Sequence, residues 1–115
     1  MQLPKLLSSL GLAKKAGALV VGSAAVLDAV RKGSPGLVLL ASDLSAQSKK
    51  KLITSCAYHK IPINTLEYGM SDLSDALGRS ASVGAVAILK KPILHLFDPL
   101  NPLYGGQTWQ NKKSN

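Results

Sequence analysis

Apolar residues in the first ninety positions of the chain follow two kinds of spacing. Some recur every three or four residues, which predicts helices, over residues 3–16, 23–32, 45–59 and 71–77. Others form short, mainly apolar stretches, which predict strands, over residues 18–21, 37–41, 61–66 and 83–89. This regular order of helix and strand predicts an α/β fold with helices on both faces of a sheet of about four strands.

The residues at the predicted boundaries support this division. Side chains that favour helix starts are Ser23 for the second helix, Asp43 and Ser45 for the third, and Ser71 or Asp72 for the fourth. The buried stripe of the third helix is predicted to hold Leu52, Ile53, Ala57 and the packed thiol of Cys56. The strand over residues 37–41 has no polar alternation, so we expect a central strand covered on both faces.

The character of the sequence changes after Pro92, where prolines and glycines become frequent and residues 107–115 are mostly polar. We therefore predict one domain over residues 1–91 and a C-terminal extension over residues 92–115 that is partly disordered. The extension also contains apolar residues, among them Leu94 and Phe97. These offer an alternative in which the extension folds back onto the domain.

The chain is strongly basic, with a formal net charge of +8 and an isoelectric point of about 9.8. Such a charge favours a polyanionic partner such as nucleic acid, although it can also serve solubility alone. A single cysteine forms no internal disulfide, and no apolar run reaches the roughly 18 residues of a membrane span. Because the N-terminus also lacks the layout of a secretory signal, we expect a soluble cytoplasmic protein that binds no membrane.

No arrangement of reactive side chains predicts a catalytic centre, a metal site or a cofactor. Gly17 and Gly22 have the spacing of a phosphate loop, but Ser23 follows where such a loop needs lysine. His59 and His95 are far apart in the sequence and do not predict a pair of metal ligands. Three of the five aromatic residues fall after residue 90, and the two that remain are too few for the platform of stacked rings that single-strand-binding proteins use.

Three stretches, in this order, carry a family resemblance. They are LGLAKKAGALVVG at residues 10–22, GLVLLASDLS at residues 36–45 after a helix over residues 22–33, and ALGRSASVGAVAIL at residues 76–89. Together they resemble the kink-turn-binding ribosomal protein L7Ae/L30e superfamily and, within it, the small bacterial YlxQ-like branch. The resemblance covers residues 3–91. It implies a three-layer α/β/α sandwich with a central mixed sheet, and binding of a sharply bent RNA.

The resemblance also implies where RNA binds: the N-terminal end of the second helix, the nearby loops, and the loop before the last strand. Exposed N–H groups and the helix dipole at such an end favour phosphates. The candidate RNA-binding residues are Lys14, Lys15, Gly22, Ser23, Ala24, Ala25, Lys32, Arg79, Ser80 and Ala81. The implied partner is structured RNA, such as ribosomal RNA or the ribosome, bound by a monomer.

The family's base-reading residues are only partly present. Its helix opens with glycine and a small hydroxyl residue, as at residues 22–23, followed by asparagine, glutamate and, three positions later, lysine. Here Ala24 and Ala25 replace the two base readers, and Asp28 stands at the lysine position. Alanine methyls cannot pair with base edges, so we expect reduced sequence specificity. Asp28 is also placed to pair with Lys32 one helical turn later.

Two further groups of lysines stand outside the resemblance. Lysines at residues 49–51 are interpreted as a solvated helix face with one side chain turned toward the core, and a phosphate patch is the alternative. Lys90 and Lys91 are interpreted as a solubilising strand terminator.

The expected function is a non-catalytic RNA-binding protein of ribosomal type that acts mainly through electrostatics and shape. One alternative is a protein-interaction module that kept the fold but lost kink-turn binding. Another is a substrate-recognition domain that serves a separate RNA-modifying enzyme.

Overall fold

The computed structural model describes residues 3–79 and 81–90, where helices and strands alternate. The helices are α1 (Leu3–Lys15), α2 (Ser23–Arg31), α3 (Ala46–His59) and α4 (Met70–Leu77). The strands are β1 (Leu19–Val21), β2 (Pro35–Leu40), β3 (Ile63–Thr65) and β4 (Ala85–Leu89). The eight predicted elements are confirmed in type and order, with small differences at their ends. The predicted extension, and the candidate residue Ser80, lie outside the described residues.

The strands form one mixed sheet in the order β1-β4-β2-β3. β4 is antiparallel to β1 and β2, whereas β2 and β3 are parallel. β1, β2 and β3 therefore point the same way and finish at one end of the sheet, where β4 begins. We call this the upper end and the opposite one the lower end. Leu40 marks the upper end, because it pairs with Ala85 of β4 and Thr65 of β3.

α2 and α3 lie side by side and run in the same direction. Each follows a strand that finishes at the upper end and precedes a strand that begins at the lower end. They pack on the same face of the sheet, where Val26 and Val30 of α2 share a buried cluster with Leu52 and Cys56 of α3. α1 and α4 cover the other face of the sheet, with Leu10, Ala13, Leu73 and Leu77 in a second buried cluster.

β2 contributes side chains to both clusters. Every residue of this strand is buried, and successive side chains of a strand point to opposite faces. Leu37 and Leu39 pack with α1 and α4, while Val38 and Leu40 pack with α2 and α3. The fold is therefore the three-layer α/β/α sandwich that the sequence predicts, with β4 and β2 as its inner strands.

The predicted caps of α2 and α4 are wrong. Gly22, not Ser23, occupies the N-cap position of α2, because its backbone makes the turn that starts the helix. α4 begins at Met70, and its N-cap residue is Gly69. Ser71 and Asp72 therefore lie inside the helix and do not cap it. Asp72 lies instead in the first turn, where its Oδ2 accepts a hydrogen bond from the Gly69 N–H at 3.1 Å.

Of the two caps predicted for α3, one is confirmed. Ser45 is the N-cap residue, and its hydroxyl accepts a hydrogen bond from the Ser48 N–H at 3.2 Å. Asp43 does not cap α3. Its Oδ1 accepts a hydrogen bond from the Met70 N–H at 2.8 Å. Asp43 therefore ties the loop before α3 to the start of α4, a contact between distant parts of the sequence.

Half of the predicted buried stripe of α3 is also wrong. Leu52 and Cys56 are buried, but Ile53 is 46% exposed and Ala57 is exposed as well. Residues 53 and 57 lie about 100° further round the helix than 52 and 56. Ser48 and Lys51 line a groove with α2, so α2 lies on the opposite flank of α3 from Ile53.

The thiol of Cys56 provides a test of this packing. Burial raises the pKa of the thiol from 9.0 to about 11. We therefore expect native protein at pH 8 to react with Ellman's reagent far more slowly than protein unfolded in urea. Above pH 9 the unfolded chain releases the proton first, so this group's contribution to stability is lost as pH rises from 9.0 to about 11.

Urea unfolding across this pH range measures the loss, and Cys56→Ala is the control that lacks the titrating group. Rapid modification of the native thiol, or the same pH dependence in both proteins, would contradict the burial of Cys56.

Candidate nucleic-acid interface

α2 begins at a sharp turn at the upper end of the sheet. Gly22 makes this turn with φ at 104°, a conformation that residues with a side chain rarely adopt. The Gly22 N–H donates a hydrogen bond to the Ala85 carbonyl at 2.9 Å, which fastens the turn to the start of β4. No side chain of the described residues caps α2. The N–H groups of its first turn are therefore available to an anion.

A groove of about 210 Å³ runs between the start of α2 and the first turns of α3. It is lined by Ser23, Ala24, Leu27, Ser48, Lys51 and Leu52. Lys51 is exposed and brings positive charge next to the helix start. The groove thus combines backbone donors, two hydroxyl groups and a cation, which is an arrangement suited to phosphate.

Lys51 was not among the residues predicted for this site. In the run at residues 49–51, Lys50 and Lys51 are exposed. The sequence predicts that one of the three lysines turns toward the core, and this is the half-buried Lys49. Its Nζ donates a hydrogen bond to the Ser42 carbonyl at 3.0 Å. The sequence contains one signal for the role of Lys51. It directly precedes Leu52 of the buried stripe, and both residues lie on the flank of α3 that faces α2.

Ala24 and Ala25 are both exposed in the first turn of α2. These are the positions at which the resemblance implies base-reading side chains. The site therefore retains the open helix start that the resemblance implies, while the two side chains that would reach base edges are absent from it.

The structure does not bring Lys14, Lys15 and Lys32 to the start of α2. Lys14 and Lys15 end α1, and the chain then enters β1 from the lower end of the sheet. The Nζ of Lys14 donates a hydrogen bond to the Leu77 carbonyl at 2.7 Å, at the end of α4. Lys32 follows α2, one helix length or about 13 Å from Ser23. Lys14 therefore lies by the end of α4, where the loop before β4 begins.

The expected ion pair on the outer face of α2 is confirmed. Lys32 Nζ lies 3.1 Å from Asp28 Oδ2, and both side chains are largely exposed. A solvated pair of this kind contributes at most about 1 kcal/mol. Its effect on the surface is to neutralise the one acid of α2 and, with it, the charge of Lys32.

The loop before β4 runs from the end of α4 back to the upper end of the sheet. Arg79 is exposed at its beginning. The Ala81 carbonyl accepts a hydrogen bond from the Ser74 hydroxyl at 2.8 Å, so the loop passes along α4. Gly84 ends the loop at the upper end, where its carbonyl accepts a hydrogen bond from the Ala41 N–H at 2.9 Å. This last part of the loop adjoins the start of α2, because the Gly22 N–H donates to the carbonyl of the next residue, Ala85.

Negative charge at the upper end collects around α4. Asp43 and Asp72 both accept hydrogen bonds from backbone N–H groups at the start of this helix. Burial, and then the charges of Glu67 and Asp72, raise the pKa of the Tyr68 phenol. These acids lie by the helix pair α1 and α4, so the groove between α2 and α3 is the side of the upper end that suits a polyanion.

Within residues 3–79 and 81–90, no three His, Cys, Asp or Glu side chains are grouped so that they could hold a metal ion. None of the helices described is both long enough and apolar enough to cross a bilayer.

Comparison with known protein families matches residues 4–93 to the ribosomal protein L7Ae/L30e/S12e/Gadd45 family. The chain belongs to this family. It is 35% identical, over 74 residues, to RNA-binding protein YlxQ of Bacillus subtilis (strain 168), which spans 64% of this chain and 73% of that protein. The resemblance to the YlxQ-like branch is thus confirmed. Large ribosomal subunit protein eL30 of Yarrowia lipolytica (strain CLIB 122 / E 150) is 30% identical over 82 residues, 71% of this chain and 75% of that protein.

Solved structures show the same architecture. A protein with unknown function from Bacillus halodurans C has a TM-score of 0.69 and 31% sequence identity, and the match covers 80% of this chain and 95% of that one. The Giardia lamblia 15.5kD RNA binding protein has a TM-score of 0.65, and the match covers 79% of this chain and 76% of that one. At 22% identity, this second likeness shows the shared fold alone.

A pair of glycine substitutions tests the turn at the start of α2. A Cβ at Gly22 would meet nothing within 4 Å, so Gly22→Ala acts through backbone strain alone. We expect it to lower the free energy of unfolding by about 1–3 kcal/mol. Gly11 lies inside α1, where an added Cβ would be 3.9 Å from its nearest neighbour, the Ala76 carbonyl oxygen. Gly11→Ala should therefore raise the free energy of unfolding by about 0.5–1 kcal/mol.

Urea denaturation of both variants measures the two changes. Effects of the same sign would show that Gly22 is not held in the conformation described.

Proposed function

We propose that this protein is a non-catalytic RNA-binding protein of ribosomal type, which holds the phosphate backbone of a structured RNA at the start of α2. The observation that carries the proposal is the uncapped helix start with Lys51 beside it in the same groove. A net charge of +8 supports a polyanionic partner. The names of two relatives, an RNA-binding protein and a ribosomal protein, agree with this function.

Binding rests mainly on phosphates and on RNA shape. A kink-turn is read through base edges, and each good base contact is worth roughly 1–3 kcal/mol. Loss of two such contacts at Ala24 and Ala25 therefore costs about two to four powers of ten in affinity for a kink-turn. The backbone donors at Gly22 and Ser23 do not depend on those side chains, so attraction to phosphate remains.

The other candidate residues are proposed as outlying contacts. Arg79 and Ala81 are exposed in the loop before β4, which begins at the end of α4 and passes along that helix, and they meet only an RNA that extends as far as α4. Lys15 and Lys32 are exposed toward the lower end, and only an RNA that extends well beyond the groove reaches them. Ribosomal RNA, which offers long structured segments, is the proposed partner of a monomeric, cytoplasmic protein.

A second candidate function is a protein-interaction module that kept the fold and lost its RNA site. The exposed methyl groups of Ala24 and Ala25, next to Leu27, give the groove an apolar wall and favour this alternative. The net charge of +8 argues against it.

Titration of the protein with a kink-turn RNA, a plain duplex and a ribosomal RNA fragment, at two salt concentrations, tests the proposed function. We expect binding to all three RNAs at low salt and a steep loss of affinity as salt rises, because phosphate contacts release counterions. Absence of measurable binding at low salt would contradict the proposal.

Lys51→Ala and Lys50→Ala, compared in the same titration, locate the site. Both variants remove one exposed charge from α3, but only Lys51 lines the groove. Lys51→Ala should reduce the slope of log affinity against log salt by about 0.9, which is one phosphate contact. Lys50→Ala should leave the slope nearly unchanged. Equal effects of the two substitutions would place the RNA elsewhere.

Ala24→Asn combined with Ala25→Glu restores the family's base readers at exposed positions. We expect affinity for the kink-turn RNA to rise by about tenfold or more, with affinity for the plain duplex unchanged. Ala46→Asn, at the exposed start of α3, is the control. A gain that is equal for kink-turn and duplex RNA, or no gain, would show that a bent RNA does not dock on α2 in this way.

A further inference from the structure

The two helices that form the groove, α2 and α3, extend beyond it toward the lower end of the sheet. Ala24 of α2 and Lys51 of α3 both line the groove. Seven residues make almost two helical turns and return to nearly the same side of a helix. Arg31 follows Ala24 by this interval, and Tyr58 follows Lys51 by it. Because α2 and α3 run side by side in one direction, Arg31 and Tyr58 lie about 10 Å beyond Ala24 and Lys51 toward the lower end, on nearly the same sides of the two helices.

Tyr58 presents an open ring at this place. Its side chain is 81% exposed, the highest value among the large hydrophobic side chains that the structure describes. The neighbouring ring, His59, stands at 83° to it with the ring centroids 4.9 Å apart. No aromatic ring of the described residues lies flat on Tyr58, so a face of the phenol ring is available for stacking.

The charges around Arg31 and Tyr58 favour phosphate. α3 contains no acidic residue over its whole length. On α2, Arg31 is exposed, and the carboxylate of Asp28 is paired with Lys32 at 3.1 Å. An RNA strand that leaves the start of α2 along the groove therefore meets positive charge at both ends and no unpaired carboxylate on either helix.

We propose that Arg31 and Tyr58 form a second RNA contact that holds an unpaired nucleotide. The ring of Tyr58 stacks on the base, and the guanidinium of Arg31 meets the adjacent phosphate. This contact rests on the proposed function, since it extends an RNA already bound at the start of α2. The scarcity of aromatic residues excludes a platform of several rings but does not affect a single stacking ring.

The test compares a hairpin RNA that ends in a short unpaired adenosine tail with the same hairpin without the tail, using the full chain. We expect Tyr58→Ala to weaken binding of the tailed hairpin by about five- to a hundredfold, and to leave the bare hairpin unaffected. Tyr58→Phe keeps the ring and should bind the tailed hairpin as the wild type does. Circular dichroism of the variants checks that this exposed position does not alter the fold.

Arg31→Gln adds an independent readout. For the tailed hairpin, it should reduce the slope of log affinity against log salt by about 0.7, the value expected for loss of one phosphate contact on a single strand. Lys50→Gln removes the same charge from a position outside the groove and is the matched control. Ultraviolet cross-linking of a photoreactive base in the tail should label the peptide that contains Tyr58.

The outcomes separate the two proposals. Wild-type protein that binds the bare hairpin but gains nothing from the tail, or that is unaffected by Tyr58→Ala, overturns the second contact alone. Failure of the wild type to bind either hairpin overturns the proposed function and the second contact with it. A third outcome is that the protein self-associates, and that Tyr58→Ala abolishes the self-association but leaves RNA affinity unchanged. This result would assign the surface to a second copy of the chain and would also overturn the second contact.

Discussion

β2 is buried along its whole length, and a strand that is covered on both faces requires an apolar helix layer on each side. Its alternating side chains build two separate clusters. The cluster under α2 and α3 holds these helices together through Val30 and Cys56, deep in the layer. Near the upper end, where small residues such as Ser23 and Ala24 face α3, the two helices leave a groove. The RNA site proposed here therefore depends on how the core spaces two helices.

The parts of the fold that local patterns determine could be predicted from the sequence. Helical and strand periods gave the type and order of every described element. The unbroken apolar run in β2 indicated a central strand, since a strand with one solvated face alternates. The pair between Asp28 and Lys32 is likewise local, because residues four apart always meet on a helix surface.

The arrangement of the site could not be predicted in the same way, because it depends on strand direction. Lys15 and Ser23 are close in sequence, yet β1 carries the chain from the lower to the upper end between them. Lys51 is far from Ser23 in sequence, yet both line one groove. Three consecutive lysines give no periodicity, so only the position of α2 beside α3 shows which of them faces the site.

The order of strands in the sheet has a consequence for how the protein folds. β4 follows the other strands in the sequence but lies between β1 and β2 in space. Until residues 85–89 have been synthesised, β1 and β2 each carry an edge of unpaired N–H and C=O groups. Loop closure over most of the domain must precede the pairing of β4, which slows folding. A growing chain therefore remains open, and exposed to aggregation, until its last strand closes the sheet from the inside.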